Sequence, residues 1–175
     1  MPKPNQWSLT KTLGRKPTIK PLEEGDIFYA WAAYKAGAFA DVFKPDLDAK
    51  LFKAAFSELL VSRYDAAWLF SAHTTKRGMF PVGIALGFWP HRIARPFMVL
   101  DALIWFPWAS SRNKIEATVE FADKARRELP MIAFARERDK RFMETLARHG
   151  IVRRIGTSRC VFTDGPASVW ETNRD

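Results

Sequence analysis

The chain has 175 residues, of which 47% are hydrophobic, 27% charged and 14% aromatic, with seven Trp and fourteen Phe. That composition excludes a wholly disordered chain and supplies the apolar material for the core of one ordinary domain. Lys and Arg number 28 against 19 Asp and Glu, a formal charge of +9, which favours polyanionic neighbours such as nucleic acid, a phosphate-bearing cofactor or an anionic surface.

The basic excess is concentrated. Residues 1–20 carry five Lys or Arg and no acid, and residues 136–159 carry eight against three acids. Together these stretches hold +10, which leaves −1 for the rest of the chain. Cys160 is the only cysteine, so an intramolecular disulfide and a cysteine metal cluster are both excluded. His73, His91 and His149 lie far apart without zinc-ligand spacing, so no metal is expected. The N-terminus lacks the apolar stretch of a secretory signal. The longest apolar stretches, 80–90 and 98–109, reach about half a bilayer span.

Residues 1–16 read as a basic, irregular arm, residues 17–172 as one domain and 173–175 as a tail. In chain order, 17–22 is a short edge strand, where prolines are tolerated. Asp26 is an N-cap candidate before a helical stripe of Ile27, Trp31, Tyr34 and Ala38. Pro45-Asp46 opens a second helix with Asp46 as its cap and Leu47, Leu51, Ala55 and Leu59 on one face. Residues 66–73 and 80–89 are strands around the polar turn 74–78, and 96–106 is a central buried strand. A helix follows over 113–128, with Asn113 and Glu116 at capping-box spacing. Met131–Ala135 is a short strand. Asp139 can cap a helix aligning Phe142, Leu146 and His149, and Gly150 is suited to end it. Strands over 151–162 and 167–172 close the chain around the turn 163–166. The order β-α-α-β-β-β-α-β-α-β-β predicts an α/β protein with helices on both faces of a mixed sheet.

That order, with three local echoes, resembles the GCN5-related N-acetyltransferase (GNAT) fold. Residues 19–26 are similar to the family's first strand and helix start. Leu103-Ile104-Trp105-Phe106-Pro107 leading to Ala117 sits where the family binds the acyl-CoA pyrophosphate. Leu146-Ala147-Arg148-His149-Gly150-Ile151 resembles its late helix end. The resemblance implies acetyl-CoA or another acyl-CoA as cofactor, an amine as substrate, and Ser110, Ser111, Arg112, Asn113, Lys114 and Ala117 as the cofactor cradle. Physically, a helix start offers unpaired N–H groups and partial positive charge to a pyrophosphate; the same residues also suit plain capping and solvation of an amphipathic helix. Against the family's Arg/Gln-x-x-Gly-x-Gly/Ala pattern, the best register is Arg112–Ala117. There Ile115 replaces the first Gly, and relative to Pro107 the loop is about two residues longer than the family's. Leu146 stands where many members carry a proton-donating Tyr.

Asp101 is the only carboxylate on the central strands. It reads as the general base for an amine, as a structural ion-pair partner of Arg92 or Arg95, or as a strand-end residue facing solvent. His73 and His91 read as solvated or capping residues at strand ends. The aromatics around Trp105 either line a channel or fill the core. Arg136, Arg138, Lys140 and Arg141, interleaved with acids, read as a solvated helix face.

Three functions follow. The first is direct transfer of an acyl group from acyl-CoA to an amine, in the cytoplasm. The second is a catalytically degenerate structural protein: the stretch 151–172 looks like small GNAT-like proteins encoded by bacteriophages, some of them virion-associated. The third is non-specific nucleic-acid or partner binding through Lys11, Arg15, Lys16, Arg153 and Arg154, with no sequence-reading motif.

Overall fold

The computed structural model describes residues 16–90, 97–128, 130–159 and 166–173. Among these, seven strands form one mixed sheet: β1 (Thr18–Pro21), β2 (Ala66–Thr74), β3 (Gly78–Phe88), β4 (Met98–Trp105), β5 (Met131–Arg136), β6 (Val152–Arg159) and β7 (Pro166–Thr172). They lie in the order β1-β2-β3-β4-β5-β7-β6. Neighbours are antiparallel except β4 and β5, which are parallel. Helices α1 (Ile27–Lys35) and α2 (Ala49–Arg63) cover one face; α3 (Ser111–Glu128) and α4 (Lys140–Arg148) cover the other. Element order and fold class are those expected from the sequence.

The first core is aromatic. Phe52 and Phe56, both fully buried on α2, stack with ring centroids 5.6 Å apart. Tyr34 of α1 stacks on Phe52 at 4.8 Å, and Phe39 packs edge-on to both phenylalanines. Phe39 holds a left-handed backbone, φ +63°, which a bulky side chain rarely adopts; burial of its ring offsets that cost. The Tyr34 hydroxyl donates to the Lys44 carbonyl at 2.5 Å and accepts from the Leu47 N–H at 2.9 Å. It thereby ties the α1–α2 connection to the core. On the other face Phe121 of α3 packs on Trp68 and Phe70, while Met143 and Leu146 of α4 pack with Trp170 of β7.

Several helix boundaries differ from expectation, each for a local reason. A single 3-10 turn, Glu24–Asp26, precedes α1. Asp26 holds the N-cap position of α1, as expected, but its side chain does not bond the helix start; its carboxylate accepts from the Glu23 N–H at 2.9 Å and pairs with Lys20 at 3.0 Å. Asp46 adopts φ +63°, and Asp48 caps α2 instead, accepting from the Leu51 N–H at 2.8 Å. The core face of α2 is Phe52 and Phe56, not the stripe that includes Leu51, which is 55% exposed. The larger rings win the core because they bury more apolar area. Helix α3 starts at Ser111, two residues early, and its box joins Ser110 to Asn113 rather than Asn113 to Glu116. Asp139 ends a 3-10 turn ahead of α4 and makes no side-chain cap there. At the far end Gly150, φ +70°, closes α4 as expected: its N–H bonds Ala147 O and the Ile151 N–H bonds Leu146 O.

The two faces of α2 are separable by mutation. Phe52→Ala is expected to cost about 3–5 kcal/mol and Leu51→Ala less than about 1 kcal/mol in urea unfolding. Equal costs would contradict this assignment of the core face.

Candidate functional site

Strands β4 and β5 pair only at Met98–Met131, Val99–Ile132 and Leu100–Ala133. Beyond Leu100, β4 stays with β3 and β5 stays with β7, so the two strands part. A bulge marks the point of parting. Leu86 of β3 faces Ala102 and Gly87 faces Leu100, which leaves Asp101 as the extra residue. Leu103 and Trp105 pack on the α3 side, whereas Ala102 and Ile104 pack on the α1–α2 side. The bulge sends Asp101 to that second side, where it meets Tyr64 just past the end of α2.

The opening is a slot of about 250 Å³ through the sheet, reached by Phe39 and Val42 on one face and by Phe142 and Met143 of α4 on the other. A second cleft of about 400 Å³ adjoins it along α2. Asp101, Ala102, Ile104, Phe134 and Arg136 line both. Trp105 stands on the α3 side of the slot, its ring 6.2 Å from that of Phe142. Its six-membered ring lies over Gly83, where an added Cβ would come within 2.7 Å of it; the glycine is what lets the indole lie flat on the sheet.

Asp101 is half-buried, and its Oδ2 accepts a 2.7 Å hydrogen bond from the Tyr64 hydroxyl. Burial pushes its carboxyl above the usual 3.8, while the Tyr64 hydrogen bond and the charges of Arg63 and Arg136 pull it back down. Burial and the same hydrogen bond raise the Tyr64 phenol above its usual 10.0, so it stays a donor across the working pH range. Arg136, at the end of β5, pairs with Asp41 of the α1–α2 connection at 3.6 Å. The ion-pair partners expected for Asp101, Arg92 and Arg95, lie outside the described residues, as does His91. Tyr64, Arg63 and Asp41 escaped the sequence reading: no spacing marks a helix-end tyrosine as the partner of a strand carboxylate 37 residues later.

Helix α3 follows the end of β4 after the connection 106–110. Ser110 and Asn113 satisfy each other: the Ser110 N–H donates to Asn113 Oδ1 at 3.2 Å and the Asn113 N–H to Ser110 Oγ at 3.1 Å. Asn113 is buried and its Nδ2 also donates to the His73 carbonyl at 3.0 Å, which anchors the helix start to β2. Ser110, Ser111 and Arg112 are exposed, and Lys114 is half-exposed. Arg112 pairs with Glu116 at 2.7 Å. Ala117 is fully buried against the sheet with Phe70 and Phe121. Because α3 starts at Ser111, Ile115 stands in its second turn. The small residues at the helix mouth are Ala109, Ser110 and Ser111.

The remaining candidates are scattered. Lys16 pairs with Glu120 of α3 at 3.9 Å. On the edge strand β6, Arg153 pairs with Glu171 of β7 and Arg154 is exposed. Lys11, Arg15 and Cys160 lie outside the described residues. Leu146 is 1% exposed inside the α4 core. No described helix is long and apolar enough to cross a membrane.

The raised carboxyl of Asp101 has a stability consequence. The folded chain holds this proton more tightly than the unfolded one, so stability falls as pH rises from 3.8 through the folded value and stays reduced at neutral pH. Asp101→Asn is therefore expected to be more stable than the parent at neutral pH, with the gap closing as pH drops towards 3.8. Urea midpoints across pH check this; a less stable Asn variant at neutral pH would refute it.

No protein-family model matches the chain, and no curated protein matches it. Solved structures do. A probable GNAT-family acetyltransferase from Chromobacterium violaceum superposes with a TM-score of 0.65 at 12% identity, over 90% of this chain and 87% of the other. The aminoglycoside N-acetyltransferase AAC(6')-Ib11 gives 0.64 at 12% identity, over 91% and 97%. The NatC complex bound to Gag peptide and CoA gives 0.55 at 14% identity, over 90% and 98%. With its parted β4 and β5, the chain carries the fold of the GCN5-related N-acetyltransferases.

Proposed function

We propose that the protein is an acyl-CoA-dependent N-acyltransferase. The observation that carries this reading is the slot between β4 and β5, with Asp101 at its apex; the chain runs from the end of β4 through 106–110 to the start of α3. Past the third pair the facing edges of β4 and β5 share no ladder. Backbone donors and acceptors on such edges need partners, and an extended chain bearing amide groups, such as the pantetheine arm of an acyl-CoA, suits them. Exposed Ser110, Ser111 and Arg112 at the helix mouth suit the pyrophosphate, because first-turn N–H groups have no carbonyl partner within the helix. Lys114 adds positive charge nearby. Ala117 contributes by packing α3 against the sheet. The bound acyl-CoA supplies an activated thioester. The chain supplies position, and a carboxylate whose basicity burial has raised. Asp101 is the base that accepts the amine proton, and the Tyr64 hydroxyl holds it in place.

A catalytically degenerate, virion-associated protein is the second reading. Its support is Leu146, an apolar core residue at the position where the GNAT resemblance implies a proton-donating tyrosine. In that role the basic arm, including Lys11 and Arg15, and the exposed Arg154 would meet DNA or a larger assembly.

Calorimetry with acetyl-CoA separates the two readings. The enzyme reading expects binding, and an Asp101→Asn variant whose affinity for acetyl-CoA stays within about twofold while transfer slows by about 10²–10⁴. Absence of binding at millimolar acetyl-CoA would overturn it.

A further inference from the structure

We infer that the acyl acceptor is a singly charged amine with an apolar body, its nitrogen at Asp101 and its body laid along α2; this rests on the acyltransferase reading. The cleft beside α2 has apolar walls from three directions. Ala55 and Leu59 come from α2, Val42 and Phe43 from the α1–α2 connection, and Ala102 and Ile104 from β4. Ala55 and Leu59 belong to the stripe that sequence periodicity placed in the core. Phe52 and Phe56 occupy the core instead, so α2 carries a second apolar face turned towards this cleft. About 400 Å³ falls within the range of small-molecule sites.

The charges narrow the choice further. The cleft presents three acids: Asp41, Glu58 and Asp101. Asp41 is paired with Arg136, and Glu58 is exposed at the rim. Asp41 and Asp101 both stand where the cleft meets the slot, and of these two it is Asp41 whose carboxylate faces the Arg136 guanidinium at 3.6 Å. Arg63 and Arg136 line the same cleft. One ammonium group beside Asp101 is thus matched by charge. A second one further along the cleft would be set against the apolar walls of Ala55, Leu59 and Phe43, which penalise a buried cation. In the transfer, the ammonium first gives one proton to Asp101, which releases it to solvent; the neutral amine nitrogen then forms the C–N bond as the thioester C–S bond breaks. The second proton leaving nitrogen passes through Asp101 and ends on the sulfur, so the products are an amide, a free thiol and one proton in solvent.

The test is calorimetric binding of amines to the protein with CoA present, using 2-phenylethylamine and spermidine as probes, with acetylation of each followed by mass spectrometry. We expect 2-phenylethylamine to bind at least about tenfold more tightly than spermidine. Leu59→Lys should weaken it by about tenfold or more with CoA affinity unchanged. Val61→Lys, on an 88% exposed position of the same helix outside the cleft, should leave it unchanged. Tighter binding of spermidine, or indifference to Leu59→Lys, would overturn the inference. Loss of CoA binding in the parent protein would instead overturn the acyltransferase reading, and is measured separately.

Discussion

Three residue pairs join β4 to β5, and the ladder then ends. Everything distinctive about the molecule follows from that interruption. A sheet seven strands wide would ordinarily bury its centre and leave nothing there to bind. Here the centre is open because each of the two parallel strands keeps its other neighbour: β4 follows β3 and β5 follows β7. These outer partners, one on each side, are antiparallel and pair for longer, so they decide the strands' directions. The parallel pair, with the fewest bonds, gives way.

The bulge at Asp101 converts that opening into a site. Without the extra residue, alternation along β4 would be unbroken. With it, Asp101 and Ala102 share the α1–α2 side, and a carboxylate stands where the slot and the α2 cleft meet. Tyr64 then supplies the hydrogen bond that makes the half-buried charge tolerable. The arrangement costs stability at neutral pH because burial still outweighs the hydrogen bond and the nearby arginines. A raised carboxyl at a cleft is what the base role proposed for Asp101 calls for. The loop that roofs it is held by buried contacts: Tyr34 ties the chain at Lys44 and Leu47, and Phe39 anchors it in the aromatic core despite a left-handed backbone.

Charge tells a different story from the one the total implies. The +9 of the chain sits on its arm and on residues 136–159. In the folded protein several of those charges are spoken for locally: Lys16 by Glu120, Arg153 by Glu171, Arg136 by Asp41. Arg136 in particular moves from a basic run in the sequence to the wall of the slot. At the start of α3, Arg112 is likewise partnered, by Glu116 one turn on, and the exposed serines and first-turn N–H groups remain the polar face of the helix mouth.

Order and type of elements were legible in the sequence because hydrophobic period, Pro and Gly report on backbone conformation within a few residues. Gly150 ended its helix where expected, and the turn 74–78 joined its two strands. Caps were less legible: Asp46 was expected to cap α2, whereas Asp48, two residues on, accepts from the Leu51 N–H and caps it instead. Asp101 could be singled out as a carboxylate on an apolar strand. Its partner Tyr64, the bulge that aims it and the slot it faces could not, because each depends on strands that meet only after the chain has folded. The sequence by itself determined the string of elements and the presence of one anomalous acid, both local properties. Tertiary structure alone decided which face of α2 is core, where β4 and β5 separate and what surrounds Asp101, because those depend on competition among distant side chains for the same buried space.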